Sequence, residues 1–318
     1  MPTTREELIA SLQAQVTPVE PTDTMAEAGR KALLNDYVKM LHHEAGSRAG
    51  EDPEEVHDMR VSIRRMRSTF RLLSDYYKPK AIQPYLSEMR KIAWALGAVR
   101  DLDVMIERLR AFQTDFEGRD DFQPVIDQFD QRRAKARKGL IRTLDKGDYS
   151  AFVEDFNSFV TKPGKGALPI DADDIHPFQV RHLLPGLIYA HLAAVRAYEP
   201  ALEGASDETL HALRIEFKRL RYAVSIFSDV LGSSINDFVG ELKAIQDHLG
   251  TMNDIRAAKE RLDEVAPELD PRALDALYQY VQTLDDEHQR LRDGFGMVWK
   301  RFNTKTVQRQ LANAIAGL

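Results

Sequence analysis

His57-Asp-Met-Arg60-Val-Ser-Ile-Arg64-Arg65-Met-Arg67 and His211-Ala-Leu-Arg214-Ile-Glu-Phe-Lys218-Arg219-Leu-Arg221 are two copies of one pattern, 154 residues apart in a chain of 318. Each is a histidine followed by basic residues at helical spacing. On a helix that turns about 100° per residue, Arg60, Arg64, Arg67 and Arg71 fall in an arc of about 80° that ends at His57. Val56, Met59, Ile63, Met66, Phe70 and Leu73 take the next arc. In the second copy His211, Arg214, Lys218 and Arg221 share one side, and Leu213, Phe217, Leu220, Val224 and Phe227 the other. Ser225 stands where Arg71 stands in the first copy, and Arg65 and Arg219 lie off the main stripe in both.

The repeat runs on past these helices. Glu88-Met-Arg90-Lys-Ile92, Leu96-Gly97-Ala-Val-Arg-Asp101 and Glu107-Arg108-Leu109 align with Glu241-Leu-Lys243-Ala-Ile245, Leu249-Gly250-Thr-Met-Asn-Asp254 and Glu260-Arg261-Leu262, now at an offset of 153. One residue was gained or lost in between. Lys162-Pro-Gly-Lys-Gly-Ala-Leu-Pro169 reads as a linker between two halves. The expectation is an all-α chain of two similar helical bundles built by internal duplication. The expected spans are a tail at 1–23, bundles at 24–160 and 175–305, a linker at 161–174 and a helical extension at 306–318. Asp52, Pro53 and Glu55 mark one motif helix start, and Ser206, Asp207 and Glu208 the other. No period-2 alternation or Asn-Gly hairpin signal argues for strands.

Composition narrows the function. The chain has no cysteine, so thiolate nucleophiles, thiolate metal sites and disulfides are excluded. Its longest apolar run, Ile92 to Val99, is far short of the roughly 18 residues that argue for a membrane span. The amino-terminal stretch carries acids with no apolar run behind it, unlike a secretory signal, so a cytoplasmic location is expected. Net charge is −6, which taken alone argues against a polyanion partner. The charge is segregated, however: residues 57–71 hold five arginines against one aspartate. A second basic cluster, Arg132, Arg133, Lys135, Arg137, Lys138 and Arg142, has no acid within it, while acids gather at Asp171–Asp174 and Asp285–Glu287. Local field rather than net charge decides what docks.

Like charges three or four residues apart destabilise a bare helix by about 0.2–0.5 kcal/mol per pair. A chain that stacks such pairs twice needs an anionic partner, either internal (Asp101, Asp254 or a neighbouring helix) or an external polyanion. The stripe from Arg60 to Arg71 spans about 16 Å, which suits an extended chain of phosphates, and arginine's planar fork engages two oxygens at once. His57 and His211 have four open roles: metal ligand, phosphoacceptor, donor to a bound phosphate, or a structural histidine that packs its helix. Metal ligation is disfavoured, because neither has a second ligand at i+3 or i+4 and both sit among cations. The His42-His43 pair reads as surface. Walker A, H-E-x-x-H and G-x-S-x-G signatures are all absent.

The pattern H-x-x-R-[VI]-x-x-[RK]-R-x-R, present twice and each time followed by L-G-x-x-x-D, resembles the CHAD family (conserved histidine α-helical domain). The resemblance covers roughly residues 24–305. It implies two four-helix bundles related by pseudo-two-fold symmetry with a basic groove or pore between them, binding of inorganic polyphosphate, association with polyphosphate granules, and no catalysis. Carried over by position, the phosphate-facing residues are His57, Arg60, Arg64, Arg65, Arg67, His211, Arg214, Lys218, Arg219 and Arg221, with Arg71, Arg90 and Lys243 as further candidates. No metal or cofactor is implied. Some relatives carry a CYTH triphosphatase domain ahead of this one; the 23 residues here are too few for it and show no E-x-E-x-K signature. Arg100-Asp101-x-Asp103 becomes Asn253-Asp254-x-Arg256 in the second half, so the halves are not expected to act identically. Two other readings stay open: a phosphohistidine carrier or phosphohydrolase using His57 or His211, and a nucleic-acid binder. The second is disfavoured by the scarcity of aromatics between the arginines.

Overall fold

In the computed structural model, residues 4–115, 119–171 and 175–318 are described. They fold as α1 (Arg5–Gln13), α2 (Met25–His42), α3 (Glu44–Ala49), α4 (Pro53–Leu72), α5 (Pro79–Asp115), α6 (Arg119–Leu144) and α7 (Gly147–Thr161). After the expected linker come α8 (Val180–Arg196), α9 (Asp207–Ile226), α10 (Ser228–Leu231), α11 (Asn236–Val265), α12 (Pro271–Phe302) and α13 (Lys305–Ala316). Extended pairing among the described residues is limited to the single bridges Thr24–Gln179 and Tyr77–Ala167. Of the acids expected at 171–174, all but Asp171 lie outside the described residues.

The motif helices start as their sequences dictate. Asp52 caps α4 by accepting from the Glu54 amide at 2.8 Å, with Pro53 in the first turn. Glu55 does not close a capping box. Its carboxylate turns out to His43 Nδ1 at 3.0 Å, so His43 is a packed neighbour of the motif helix, while His42 is exposed. Ser206 caps α9 through the Thr209 amide at 3.3 Å. The apolar arcs are buried as expected: Val56, Met59, Ile63, Met66 and Phe70 on α4, and Leu213, Phe217, Leu220 and Val224 on α9.

The expected division at 161–174 does not divide the core. One large apolar cluster joins α2, α4 and α7 to α8, α9, α13 and the amino-terminal part of α11. A second combines Met105, Ile106 and Leu109 of α5 and Phe122, Val125, Ile126 and Phe129 of α6 with Ile255, Leu262 and Val265 of α11 and Leu277, Tyr280 and Leu284 of α12. The physical reason is length. α5 has 37 residues and α11 has 30, about 55 and 45 Å, so their distal parts outrun their own half and bury against the other. The same holds at the amino terminus, where residues 4–23 of the expected tail pack on the core. Thr4 and Glu7 form a reciprocal capping box on α1, Leu12 and Val19 are buried, and the Val19 amide donates to Asp229 at 3.1 Å. The linker is also tied down: the Lys78 amide donates to the Gly166 carbonyl at 2.8 Å and the Leu168 amide to that of Tyr76 at 3.0 Å. Gly166, with φ +77°, makes that turn where a Cβ would stand 2.7 Å from Phe159.

Candidate functional site: a cation-lined cleft

α4 and α9 pack against each other, with α5 beside α4 and α11 beside α9. Where the four helices meet, a cleft of about 430 Å³ opens. α4 contributes His57, Arg60 and Arg64; α9 contributes Arg214 and Lys218; α5 contributes Arg100, Asp101 and Arg108; α11 contributes Asn253, Asp254 and Arg261. Seven cations therefore line it against two carboxylates. Each helix buries its apolar arc in a core, and the adjoining basic arc is left facing the space between them.

The internal neutralisation that the sequence left open is partial. Asp101 takes Arg60 at 3.3 Å and Arg261 at 2.8 Å, and Arg100 pairs with Glu54 at 2.9 Å. Arg64, Arg108, Arg214 and Lys218 have no carboxylate among the described residues within 4.0 Å, and the buried Nε of Arg64 has no hydrogen-bond partner. The electrostatic consequences appear in the titrating groups. Burial first, then Arg214, Arg64 and Arg221 against the opposing pull of Asp254, together bring Lys218 down from 10.5 to about 8. Burial likewise lowers Arg214, with Asp254 opposing and Arg64 adding to the shift, and it lowers Arg60 against the pull of Asp101. His57 is held below its ordinary value by burial and by Arg100, so at neutral pH it is largely uncharged. Arg64 on α4 and Arg214 and Lys218 on α9 thus repel one another across the helix contact. An anion placed among them would relieve that repulsion.

The other expected site residues divide. Arg67 lies within electrostatic reach of Arg71, Arg90 and Tyr222, which continues the basic surface beyond the cleft. Arg71, Arg90 and Lys243 are exposed and carry no ion pair among the described residues. Arg221 is half-buried and stacks at 5.8 Å over the ring of Tyr222. Arg65 is not turned to the cleft. Its Nε donates to Asp36 at 2.9 Å, a carboxylate only 1% exposed, and this pair belongs to the packing of α2 on α4. Burial raises Asp36 even against the pull of Arg65, which marks how dry that contact is. Arg219 pairs with Glu216 on its own helix. His211 is held by Asn253 Oδ1 at 2.8 Å and lines a small neighbouring cavity with His288 and Asp207. The basic cluster at 131–142 is largely spent on structure: Arg132 on Glu264 and Glu268, Arg133 on Asp103, and Arg137 on the Arg48 and Ala49 carbonyls.

Arg100, Arg108, Arg261 and Asn253 were missed as site residues. The signal was present, since Arg108 and Arg261 are matched positions of the repeat, as are Arg100 and Asn253. What was missing was the knowledge that this face of α5 and α11 borders α4 and α9. No group of three or more His, Asp or Glu among the described residues could hold a metal ion, and no helix is long and apolar enough to cross a membrane.

The CHAD domain family model matches residues 31–263, most of the chain, and the chain belongs to that family. The uncharacterized proteins MT2285 and Rv2226 of two Mycobacterium tuberculosis strains (CDC 1551 / Oshkosh and ATCC 25618 / H37Rv) are each 25% identical over 258 residues, 78% of this chain. The aligned part is 47% of each of those proteins, so the chain spans about half the length of the curated relatives it matches. Among solved structures, PptA from Streptomyces chartreusis superposes with a TM-score of 0.67 at 17% identity, covering 87% of this chain and 99% of that one. The CHAD domain from the plant Ricinus communis gives 0.65 at 22% identity and 95% of both chains. At these identities the two structures establish a shared fold.

Proposed function

We propose that this CHAD protein binds inorganic polyphosphate in the cleft between α4 and α9 and does not turn it over. The observation that carries the reading is the group Arg64, Arg214 and Lys218: half-buried, mutually repelling cations from two helices with no carboxylate of the described residues in pairing distance. Burying such charges without a partner is costly, and a chain of phosphates provides the missing counter-charge at several points at once. The twofold recurrence of the motif supports an internal duplication that brought two basic stripes to one channel. Arg67, Arg71 and Arg90 extend the cationic surface on one side, and Arg108 and Arg261 on the other, as an elongated ligand requires. His57, largely neutral beside Arg100, acts in this reading as a hydrogen-bond donor to a phosphate oxygen rather than as a nucleophile. Attachment to polyphosphate granules is the corresponding expectation for location.

Calorimetric titration with long-chain polyphosphate at two salt concentrations, with pyrophosphate as control, tests this. Tight binding of the long chain that weakens steeply with salt is expected. It should be abolished in Arg64→Glu/Lys218→Glu with helicity retained. Undiminished binding in that double variant removes the site. Phosphate release from polyphosphate with Mg²⁺ or Mn²⁺, lost in His57→Ala, would replace the binding reading with a hydrolytic one.

A further inference from the structure

The chain's two tryptophans have opposite fates. Trp299 is 6% exposed in the core, whereas Trp94 is 79% exposed on α5. A single exposed apolar side chain is ordinary on a surface; the position of this one is not. Taking Asp101 as origin and about 100° per residue, Arg90, Trp94, Asp101 and Arg108 fall within about 20° of one line along α5. Asp101 and Arg108 line the cleft, and Arg60 pairs with Asp101. Arg90 belongs with Arg67 and Arg71 to the basic surface beyond it. Trp94 therefore stands between those two cationic groups, about 10 Å along the helix from Asp101. Its indole is an exposed flat π-surface on a helix line that also carries Arg90 and Arg108, neither of which has an ion pair among the described residues. The repeat position on α11 is Asp247, an exposed acid that would repel phosphate. The aromatic is thus present at one end of the cleft and not the other.

A phosphate chain has no use for a π-face, but a nucleobase does. Base–aromatic stacking discriminates against the same phosphates without a base. We propose that the cleft also accepts nucleoside polyphosphates, with the phosphates on the cations around Arg64, Arg67 and Arg90 and the single base stacked on Trp94. This rests on the cleft being a phosphate site, as argued above. Tyr222 on the same surface is half-buried and already stacked by Arg221, so Trp94 is the open ring at that end, which suits a ligand with one base at the end of its phosphates rather than a nucleic-acid strand with a base on every phosphate.

Trp94 reports on the idea directly, because the buried Trp299 gives a steady background. The intact protein would be titrated with inorganic tripolyphosphate, with ATP, with a short single-stranded RNA and with long-chain polyphosphate, following tryptophan emission and competition. ATP carries the same number of phosphates as tripolyphosphate and less charge, so charge alone favours the inorganic ligand. The expected result is ATP tighter by about tenfold, with quenched emission. Trp94→Ala should reduce ATP to the tripolyphosphate level and leave long-chain polyphosphate unchanged; Trp94→Phe should keep most of the preference. ATP no tighter than tripolyphosphate, or a preference that survives Trp94→Ala, overturns the proposal. RNA binding at least as tight as ATP overturns the single-base assignment. Polyphosphate binding with no ATP preference would sink this inference alone. A Trp94-dependent ATP site that does not bind polyphosphate would sink the function proposed above and leave this one standing.

Discussion

Lys218 is the place where pH should act on ligand binding. In the free protein burial and the neighbouring guanidinium groups of Arg214 and Arg64 bring its ammonium down from 10.5 to about 8. A polyanion in the cleft reverses the sign of the local field, so the ammonium is held more strongly when ligand is bound. Binding then takes up a proton at any pH between the free and bound values. The Lys218 contribution to affinity should be flat below pH 8 and fall above it, by up to tenfold per pH unit. The gap between 10.5 and about 8 caps the loss at about 300-fold, if the ligand does no more than restore the ordinary value. Solvent in the open cleft screens part of this, which brings the expectation to roughly ten- to thirtyfold between pH 7.5 and 10. The comparison to make is polyphosphate affinity at constant ionic strength for the wild type and Lys218→Arg. Arginine stays charged throughout, and titration of the ligand's own end groups is common to both proteins. A wild-type to variant ratio that does not move with pH would refute the reasoning. The free protein carries a second signature. Between pH 8 and 10.5 the folded state binds fewer protons at Lys218 than the unfolded chain, so this residue's contribution to stability improves as pH rises through that window and is poorest below pH 8. Lys218→Met should accordingly raise Tm more at pH 7 than at pH 10.

Other outcomes follow from the contacts. Arg65→Ala strands the Asp36 carboxylate in the packing of α2 on α4 and should cost about 3–5 kcal/mol by denaturant unfolding, while polyphosphate affinity per folded molecule stays unchanged. Arg108→Ala removes a cleft cation with no ion pair among the described residues to disrupt, so it should lower affinity and flatten the salt dependence without changing Tm; an unchanged salt slope would place Arg108 outside the ligand's path. Reversing both Lys135 and Lys138, exposed members of the other basic cluster, should leave affinity within about twofold, and a larger loss would extend the site onto α6. Leu12→Ala, on the buried face of α1, should destabilise by about 2–5 kcal/mol, a loss that a loose tail would not show.

Much was legible in the chain itself. Apolar residues at three- and four-residue spacing, with Asp52, Pro53 and Ser206 at the starts, determined two amphipathic motif helices and which arc of each is basic. These are local properties, decided within a turn or two by backbone geometry and capping, so no distant contact was needed to read them. The repeat added that α5 and α11 carry matched basic positions. Only the tertiary structure decided which cations stay without a counter-charge. Arg60 and Arg64 sit one turn apart on the same stripe, yet Arg60 meets Asp101 from α5 and Arg64 meets Arg214 and Lys218 from a helix some 150 residues away. Arg65, one residue along, is consumed by Asp36 of α2. The same holds for the shared cores and for the line of α5 that carries Trp94, which meets the cleft at Asp101 and Arg108 because α5 packs against α4. Helical periodicity sets the direction in which a side chain leaves its own axis. What stands opposite it is decided by how long helices cross, and that information is spread over the whole chain.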